Sequence, residues 1–184
     1  MRIVAGIAKG HKLFAPPGQE IRPTADRVKE ALFSILGEKV YDSLVLDLFA
    51  GSGALGIEAL SRGASHSVFV DYSRYSVEAI EKNLKKTGFG SNSEVVFESV
   101  AKAIDKLVAR GQQFDLIFLD PPYKIKHTEL KGILETLSRK KLIKPDGTIA
   151  LEHSLKVRLL AMNKLKVIAE KKYGDTGLTF FTPA

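Results

Sequence analysis

The sequence predicts a doubly wound α/β fold, a mostly parallel seven-stranded sheet with helices on both faces. Three observations predict it. From residue 44 onward, short apolar runs alternate with stretches of helical periodicity. Several of the apolar runs are continuous, as in strands buried on both faces. The last two strand-like runs have no helix between them, so they should close the sheet as an antiparallel hairpin at its edge.

Residues 2–15 read as a small β-hairpin. Ile3, Val4 and Ile7 precede Lys9-Gly10-His11-Lys12, and Leu13-Phe14 follow, before Pro16-Pro17-Gly18 breaks the pattern. Thr24 is placed to cap a helix with apolar positions Val28, Ala31, Leu32, Ile35 and Leu36, and Gly37 ends it. Strands are expected at Leu44–Phe49, Ser67–Val70, Glu94–Phe97, Phe114–Leu119 and Thr148–Leu151. Helices are expected at Ala54–Arg62, Arg74–Thr87, Ala101–Arg110 and His127–Lys140. Strict alternation of the two implies parallel pairing through right-handed crossovers. Lys164–Lys172 and Leu178–Thr182 form the final hairpin around Tyr173-Gly174-Asp175-Thr176-Gly177. Phe14, Phe33 and Phe180 are expected in the core.

A chain of 184 residues can bury a full core without disulfide or metal. It contains no Cys, which excludes disulfides, thiol nucleophiles, thiolate zinc and iron–sulfur clusters. Its four His residues, His11, His66, His127 and His153, are scattered, and no metal site is expected. No apolar run approaches the roughly 18 residues of a membrane helix, and Met1–Gly6 is too short an apolar stretch for a secretory signal. A soluble, cytoplasmic monomer is expected. The net charge is +7 and the pI about 9.5, a balance that suits a polyanionic partner. Residues 1–19 carry Arg2, Lys9, His11 and Lys12 without an acid. Residues 124–144 carry seven Lys and Arg against Glu129 and Glu135. Both segments flank the motifs described next.

Gly51-Ser52-Gly53-Ala54-Leu55-Gly56 matches G-x-G-x-x-G between a strand and a helix, where small residues and free helix N–H groups admit a ligand. Asp71 ends the following strand, 20 residues after Gly51, and suits ribose hydroxyls. That pattern alone fits NAD as well as S-adenosylmethionine. Asp47, four residues before Gly51, favours the second, because an anion there suits an ammonium and repels a pyrophosphate. The His residues also lack a dehydrogenase-like grouping. Asp47, Phe49, Ala50, Gly51, Ser52, Gly53, Gly56 and Asp71 are therefore the expected cofactor set. Asp120-Pro121-Pro122-Tyr123 follows a buried strand. It offers a carboxylate, a proline carbonyl, a loop stiffened by fixed φ and an aromatic face. Those groups clamp a planar amine. Acceptors aimed at both N–H bonds favour the pyramidal amine, whose lone pair can attack a sulfonium methyl. Lys9, Lys12, Arg22 and Arg27 are candidate phosphate contacts; Lys29 is either another or part of a solvated helix face.

With both motifs in this order, the chain is similar to class I S-adenosylmethionine-dependent methyltransferases. Arg2–Pro16, the segment Arg22-Pro23-Thr24-Ala25-Asp26-Arg27-Val28-Lys29-Glu30-Ala31-Leu32-Phe33, and the run Asp47 to Ala64 resemble the bacterial 16S ribosomal RNA guanine-N2 methyltransferase family over nearly the whole chain. The resemblance implies methyl transfer to N2 of a guanine in small-subunit rRNA, with S-adenosylhomocysteine as product. It implies Asp71 on the ribose, Asp120 and Tyr123 on the base, and Arg22 and Thr24 near the mouth of the site. It also implies an RNA-contacting extension over 1–40 and a methyltransferase domain over 41–184. Relatives of this fold often carry Asp or Asn where Ser99 stands, so the Val100 backbone is expected to share in adenine recognition. An adenine-N6 methyltransferase, an NAD-dependent oxidoreductase and a non-catalytic RNA-binding factor stay open beside this reading.

Overall fold

The computed structural model describes residues 1–17, 25–122, 124–156 and 164–184. Arg22, Thr24 and Tyr123 lie outside the described residues. The strands are β1 (Leu44–Leu48), β2 (His66–Asp71), β3 (Ser93–Phe97), β4 (Phe114–Leu119), β5 (Ile143–Ser154), β6 (Leu165–Tyr173) and β7 (Thr176–Pro183). The helices are α1 (Ala25–Leu36), α2 (Ala54–Ser61), α3 (Arg74–Thr87), α4 (Val100–Ala109) and α5 (His127–Arg139). The seven strands form one sheet in the order β3-β2-β1-β4-β5-β7-β6. Pairing is parallel from β3 to β5, and β7 runs antiparallel to both β5 and β6.

Alternation along the strands sorts the core into two layers. Val45, Phe69, Leu116, Phe118, Ala150 and Phe180 meet α1, α2, α3 and the N-terminal segment. Leu46, Leu48, Val68, Val70, Ile117 and Leu119 meet α4 and α5. The covering face changes because the chain reverses its direction across the sheet after β3, while each crossover keeps its right hand. Phe33 of α1 meets Phe118 of β4 edge-on at 5.6 Å.

Element ends lie close to the sequence expectation, and two places differ more. β5 starts at Ile143, well before the expected Thr148. Lys144-Pro145-Asp146-Gly147 precedes the expected strand and is a bulge within the observed one: Phe114 pairs with Ile143, whereas Leu116 pairs with Thr148. Lys144 spans the irregularity with bonds of 2.8 and 2.9 Å to the two Asp115 carboxylate oxygens. The N-terminal segment reverses as expected but makes one antiparallel bridge, Arg2 with Lys12, instead of a ladder.

Ile3, Gly10 and Leu13 donate across the segment to the His11, Ile3 and Met1 carbonyls at 3.0, 2.9 and 3.0 Å, and four other backbone donors turn to α2. The Val4 and Ala5 amides donate to the Glu58 carboxylate at 2.8 and 3.0 Å. Those of Ile7 and Ala8 donate to the Ser61 carbonyl and hydroxyl at 2.8 and 3.0 Å. Gly6, at φ +83°, lies so close that a Cβ would stand 1.8 Å from the Ser61 carbonyl oxygen. Glu58 is fully buried, and it also takes Lys29 at 3.1 Å and Arg62 at 2.9 Å. The Arg62 guanidinium in turn lies 4.7 Å from the centre of the Phe33 ring. Lys29 is thus 4% exposed and paired, neither a phosphate contact nor part of a solvated face. Phe33 and Phe180 are buried, but Phe14 is 52% exposed, because its chain position is set by backbone bonds and not by its ring.

Glu58→Leu should destabilise the protein by about 3–5 kcal/mol, since Lys29 is left buried without a counter-charge. Urea unfolding measures this. The double variant Lys29→Met/Glu58→Leu should recover much of the loss; strictly additive losses would show that the two charges do not support each other.

Candidate active site

β1 has β2 on one side and β4 on the other, so the strand order reverses at its carboxyl end. Ligands of open α/β sheets lie in the crevice at such a point. Leu48 pairs with Leu119, the last residues of β1 and β4. The turns that follow them, carrying Phe49–Gly53 and Asp120–Pro122, are therefore neighbours.

The turn after β1 is built on positive φ. Phe49 stands at +61°, Gly51 at +56° and Gly53 at +77°. A left-handed Phe costs on the order of 1–3 kcal/mol, and such residues cluster at ligand sites. The turn is held by the Ala50 amide on the Val70 carbonyl at 3.0 Å and by the Gly53 amide on the Ala50 carbonyl at 2.7 Å. Gly53 is the N-cap of α2. Gly56 answers a different demand. A Cβ there would come within 2.3 Å of the Phe69 ring and 2.6 Å of the Ser67 hydroxyl, so its absence lets α2 settle onto β2.

Three carboxylates surround this turn. Asp47 is 1% exposed, and one of its oxygens accepts the Gly56 amide at 2.9 Å. Burial pushes its carboxyl well above the usual aspartate range. The Gly56 N–H bond opposes that shift, and the negative charges of Asp120 and Asp71 add to it. Asp71 accepts the Gly51 amide at 2.9 Å on one oxygen and the Ser73 amide at 2.8 Å on the other. It thereby ties the first turn to the start of α3, and each oxygen keeps a second lone pair for a ligand hydroxyl. Asp120 is exposed, Pro121 is buried, and the Pro122 carbonyl accepts the Ile125 amide at 2.9 Å, closing the loop ahead of α5.

At the end of β3, Phe97 pairs with Asp71, and the Glu98 amide bonds the Asp71 carbonyl at 3.1 Å. Ser99 is the exposed N-cap residue of α4, with extended backbone and no side-chain capping bond, and Val100 behind it is buried. Tyr72 and Phe97, 68% and 58% exposed, flank this corner. Neither belongs to the expected set, although Tyr72, an aromatic directly after the strand-end carboxylate Asp71, is a readable signal. Asn83, fully buried on α3, is the other omission. Its Nδ2 donates to the Ser52 carbonyl at 2.8 Å and to the Phe14 carbonyl at 2.9 Å, and its Oδ1 accepts the Phe14 amide at 2.7 Å.

Of the expected RNA-binding residues, Lys12 lies where the N-terminal segment meets α3, the Lys86 ammonium donating to its carbonyl at 2.7 Å. Lys9 sits in the turn of that segment, near Ser61 at the far end of α2. Arg27 is exposed on α1. His153 is structural: Nε2 lies 2.9 Å from the Thr179 hydroxyl and Nδ1 lies 3.0 Å from the Ser154 carbonyl.

A family model described as Conserved hypothetical protein 95 matches residues 1–182. The chain belongs to this family. YlbH of Bacillus subtilis, named as a candidate rRNA methyltransferase, is 37% identical over 98% of each chain. Ribosomal RNA small subunit methyltransferase D of Escherichia coli is 35% identical over 91% of this chain and 79% of its own. A solved structure, a candidate methyltransferase yhhF from Escherichia coli, superimposes with a TM-score of 0.84 at 31% identity, covering 100% of this chain and 97% of that one. The family is one of class I S-adenosylmethionine-dependent methyltransferases, and the sheet order and antiparallel final pair are those of its fold.

The buried Asp47 gives the ligand-free protein a pH dependence. A carboxyl raised above its unfolded value holds its proton in the folded state after the unfolded chain has lost it. Its stabilising contribution is complete below the ordinary aspartate range and is lost as the pH rises through the raised folded value. Asp47→Asn should flatten this part of the profile in urea melts at stepped pH. Parallel profiles for the two proteins would rule out its burial as the source.

Proposed function

We propose that the protein transfers the methyl group of S-adenosylmethionine to the exocyclic N2 amine of a guanine in 16S rRNA of the small ribosomal subunit. The observation that carries this reading is the pairing of Leu48 with Leu119, which sets the Asp120-Pro121-Pro122 turn against the Gly-rich turn. The relatives named as small-subunit rRNA methyltransferases and the net charge of +7 support RNA as the acceptor.

The residues around the first turn fit the cofactor. Gly51 and Gly53 keep the turn tight and lead into the α2 N-terminus. The Asp71 carboxylate takes the ribose hydroxyls, and Tyr72, Phe97, Ser99 and the Val100 backbone bound a place for a flat base. Asp47, already disfavoured as an anion by burial and by two neighbouring acids, gains from a ligand cation. The same three carboxylates weigh against NAD, whose pyrophosphate would bring negative charge into them. S-adenosylmethionine supplies a methyl already activated on a sulfonium, so the chemistry calls for no metal.

The acceptor amine needs its lone pair released from the ring. Asp120 accepts one of its N–H bonds and the Pro121 carbonyl the other, which favours the pyramidal geometry. Two consecutive prolines keep these acceptors in place before the base arrives. Tyr123 supplies a stacking face, a contact worth about 1–3 kcal/mol. Orientation and preorganised electrostatics contribute more here than proton abstraction does.

Asp120→Ala should lower transfer to unmodified small subunits by at least about a hundredfold and leave S-adenosylhomocysteine affinity, measured by calorimetry, within a factor of about two. Full activity in this variant would refute the amine clamp. Nucleoside analysis of the product should give N2-methylguanosine; N6-methyladenosine would move the acceptor to adenine, and binding of NAD but not of S-adenosylhomocysteine would remove the cofactor assignment.

A further inference from the structure

Phe14 is an unusual residue for the N-terminal segment to display. Its backbone is clamped by Asn83, its ring is 52% exposed, and the Lys86 ammonium lies 4.9 Å from the ring centre. Lys86 also donates to the Lys12 carbonyl at 2.7 Å. The aromatic ring, the Lys86 ammonium and the backbone of the exposed Lys12 thus share one patch where the segment meets α3. Along α3, Tyr75 and Lys82 stand eleven and four residues before Lys86, spacings that return to the same flank of a helix. Tyr75 is 63% exposed, and Lys82 and Lys86 are both exposed. Tyr75 to Lys86 covers about 16 Å of helix, with an aromatic at one end and Phe14 at the other. The exposed acid Glu81 lies a turn of about 100° from Lys82, off this flank, and Glu78, one turn before Lys82 on the flank, is paired with Arg74 at 3.2 Å. The patch is bolted to the cofactor turn, since the Asn83 amide that holds Phe14 also holds the Ser52 carbonyl.

We infer that Tyr75, Lys82, Lys86, Lys12 and Phe14 form a track for single-stranded RNA leading from the active-site turn along α3, an inference that rests on the RNA-methylating reading above. Cations spaced along a helix neutralise successive phosphates, and exposed rings between them stack unpaired bases without regard to sequence. Asn83 gives the track a fixed relation to the methyl-transfer site, so RNA held on it has a defined register to the target base.

Binding of fluorescent single-stranded fragments of small-subunit rRNA, followed by anisotropy over a salt series, tests the track. Lys82→Gln/Lys86→Gln should reduce the slope of log affinity against log salt by about 1.4, two single-strand phosphate contacts. Phe14→Leu, which keeps the bulk and loses the ring, should weaken binding roughly 5- to 150-fold. Lys166→Gln/Lys171→Gln, the same charge loss on β6 at the opposite sheet edge, should leave the slope unchanged. S-adenosylhomocysteine affinity should be unchanged in all three. Equal slopes for both lysine pairs, or wild-type affinity in Phe14→Leu, would overturn the track. So would a defect seen only on intact subunits with naked RNA binding intact, which would point to a protein partner. Wild-type protein that binds RNA as expected but methylates none would instead remove the methyltransferase reading and leave the track standing. Active protein whose KM for RNA is untouched by these variants would remove the track alone.

Discussion

The site depends on one topological constraint, the reversal of strand order at β1. The chain winds outward to β3 and then returns to lay β4 along the free side of β1. Residues some seventy positions apart in sequence become neighbours because Leu48 is opposite Leu119. Parallel register leaves no freedom in this, since a slip of one residue would send Asp47 and Phe118 to the wrong faces. The left-handed Phe49 and the paired prolines then bend the two turns away from the sheet. Strain at Phe49 is sustained by the buried pairings of the two residues that follow it, Ala50 on Val70 and Gly51 on Asp71.

Two buried polar side chains extend this frame to the N-terminal segment. Glu58 accepts that segment's amides at one end of α2, and Asn83 accepts and donates to Phe14 beside the other. Buried polar groups of this kind are satisfied in one arrangement only, and a displaced segment would leave several of them unpaired at once. The segment therefore acts as a third layer on the α1–α2–α3 face: Ile3, Ala8 and Leu13 lie in the same apolar cluster as Phe69 and Phe118.

Apolar periodicity made the sheet and α3 legible, because it reports which face of an element is removed from water. The α3 boundaries, Arg74 to Thr87, agree in full with that reading. The same signal is blind to polar groups that are buried in pairs. Lys29 occupies a position that reads as solvent-facing, and only its partner on α2 explains its burial; Asn83 lies on the apolar face of α3 with Ile80 and Leu84, and periodicity says nothing of the backbone groups it holds. Glu58 was more accessible: it is the one charged residue in ALGIEALS, a helix otherwise of small and apolar residues, where an isolated acid asks for a partner. The β5 bulge was hidden for another reason. Pro145 and Gly147 carry turn chemistry, and nothing local states that Asp115 on the neighbouring strand will hold Lys144. At the site, the motif residues of both turns were legible, as their types are dictated by backbone geometry. Phe97 was not, because an exposed aromatic at a strand end has no periodicity to betray it, whereas Tyr72 carries a signal of its own, its place directly after the strand-end Asp71.

The electrostatics divide the protein into an acidic centre and a basic surround. The negative charges of Asp71 and Asp120 bear on the buried Asp47 beside the Gly-rich turn, in a chain whose net charge is +7. Such a centre attracts a cation and an amine, and it excludes phosphate. An RNA substrate therefore cannot lay its backbone across the turn. On the reading proposed above, its phosphates would keep to the lysine-bearing flanks and the target would enter as an unstacked base turned inward, the arrangement by which enzymes reach atoms otherwise buried in a stack. On this view the sign of the charge does part of the work of orientation. The field that would draw RNA to the surface would also stop its backbone short of the proposed site and favour a neutral base edge bearing N–H donors.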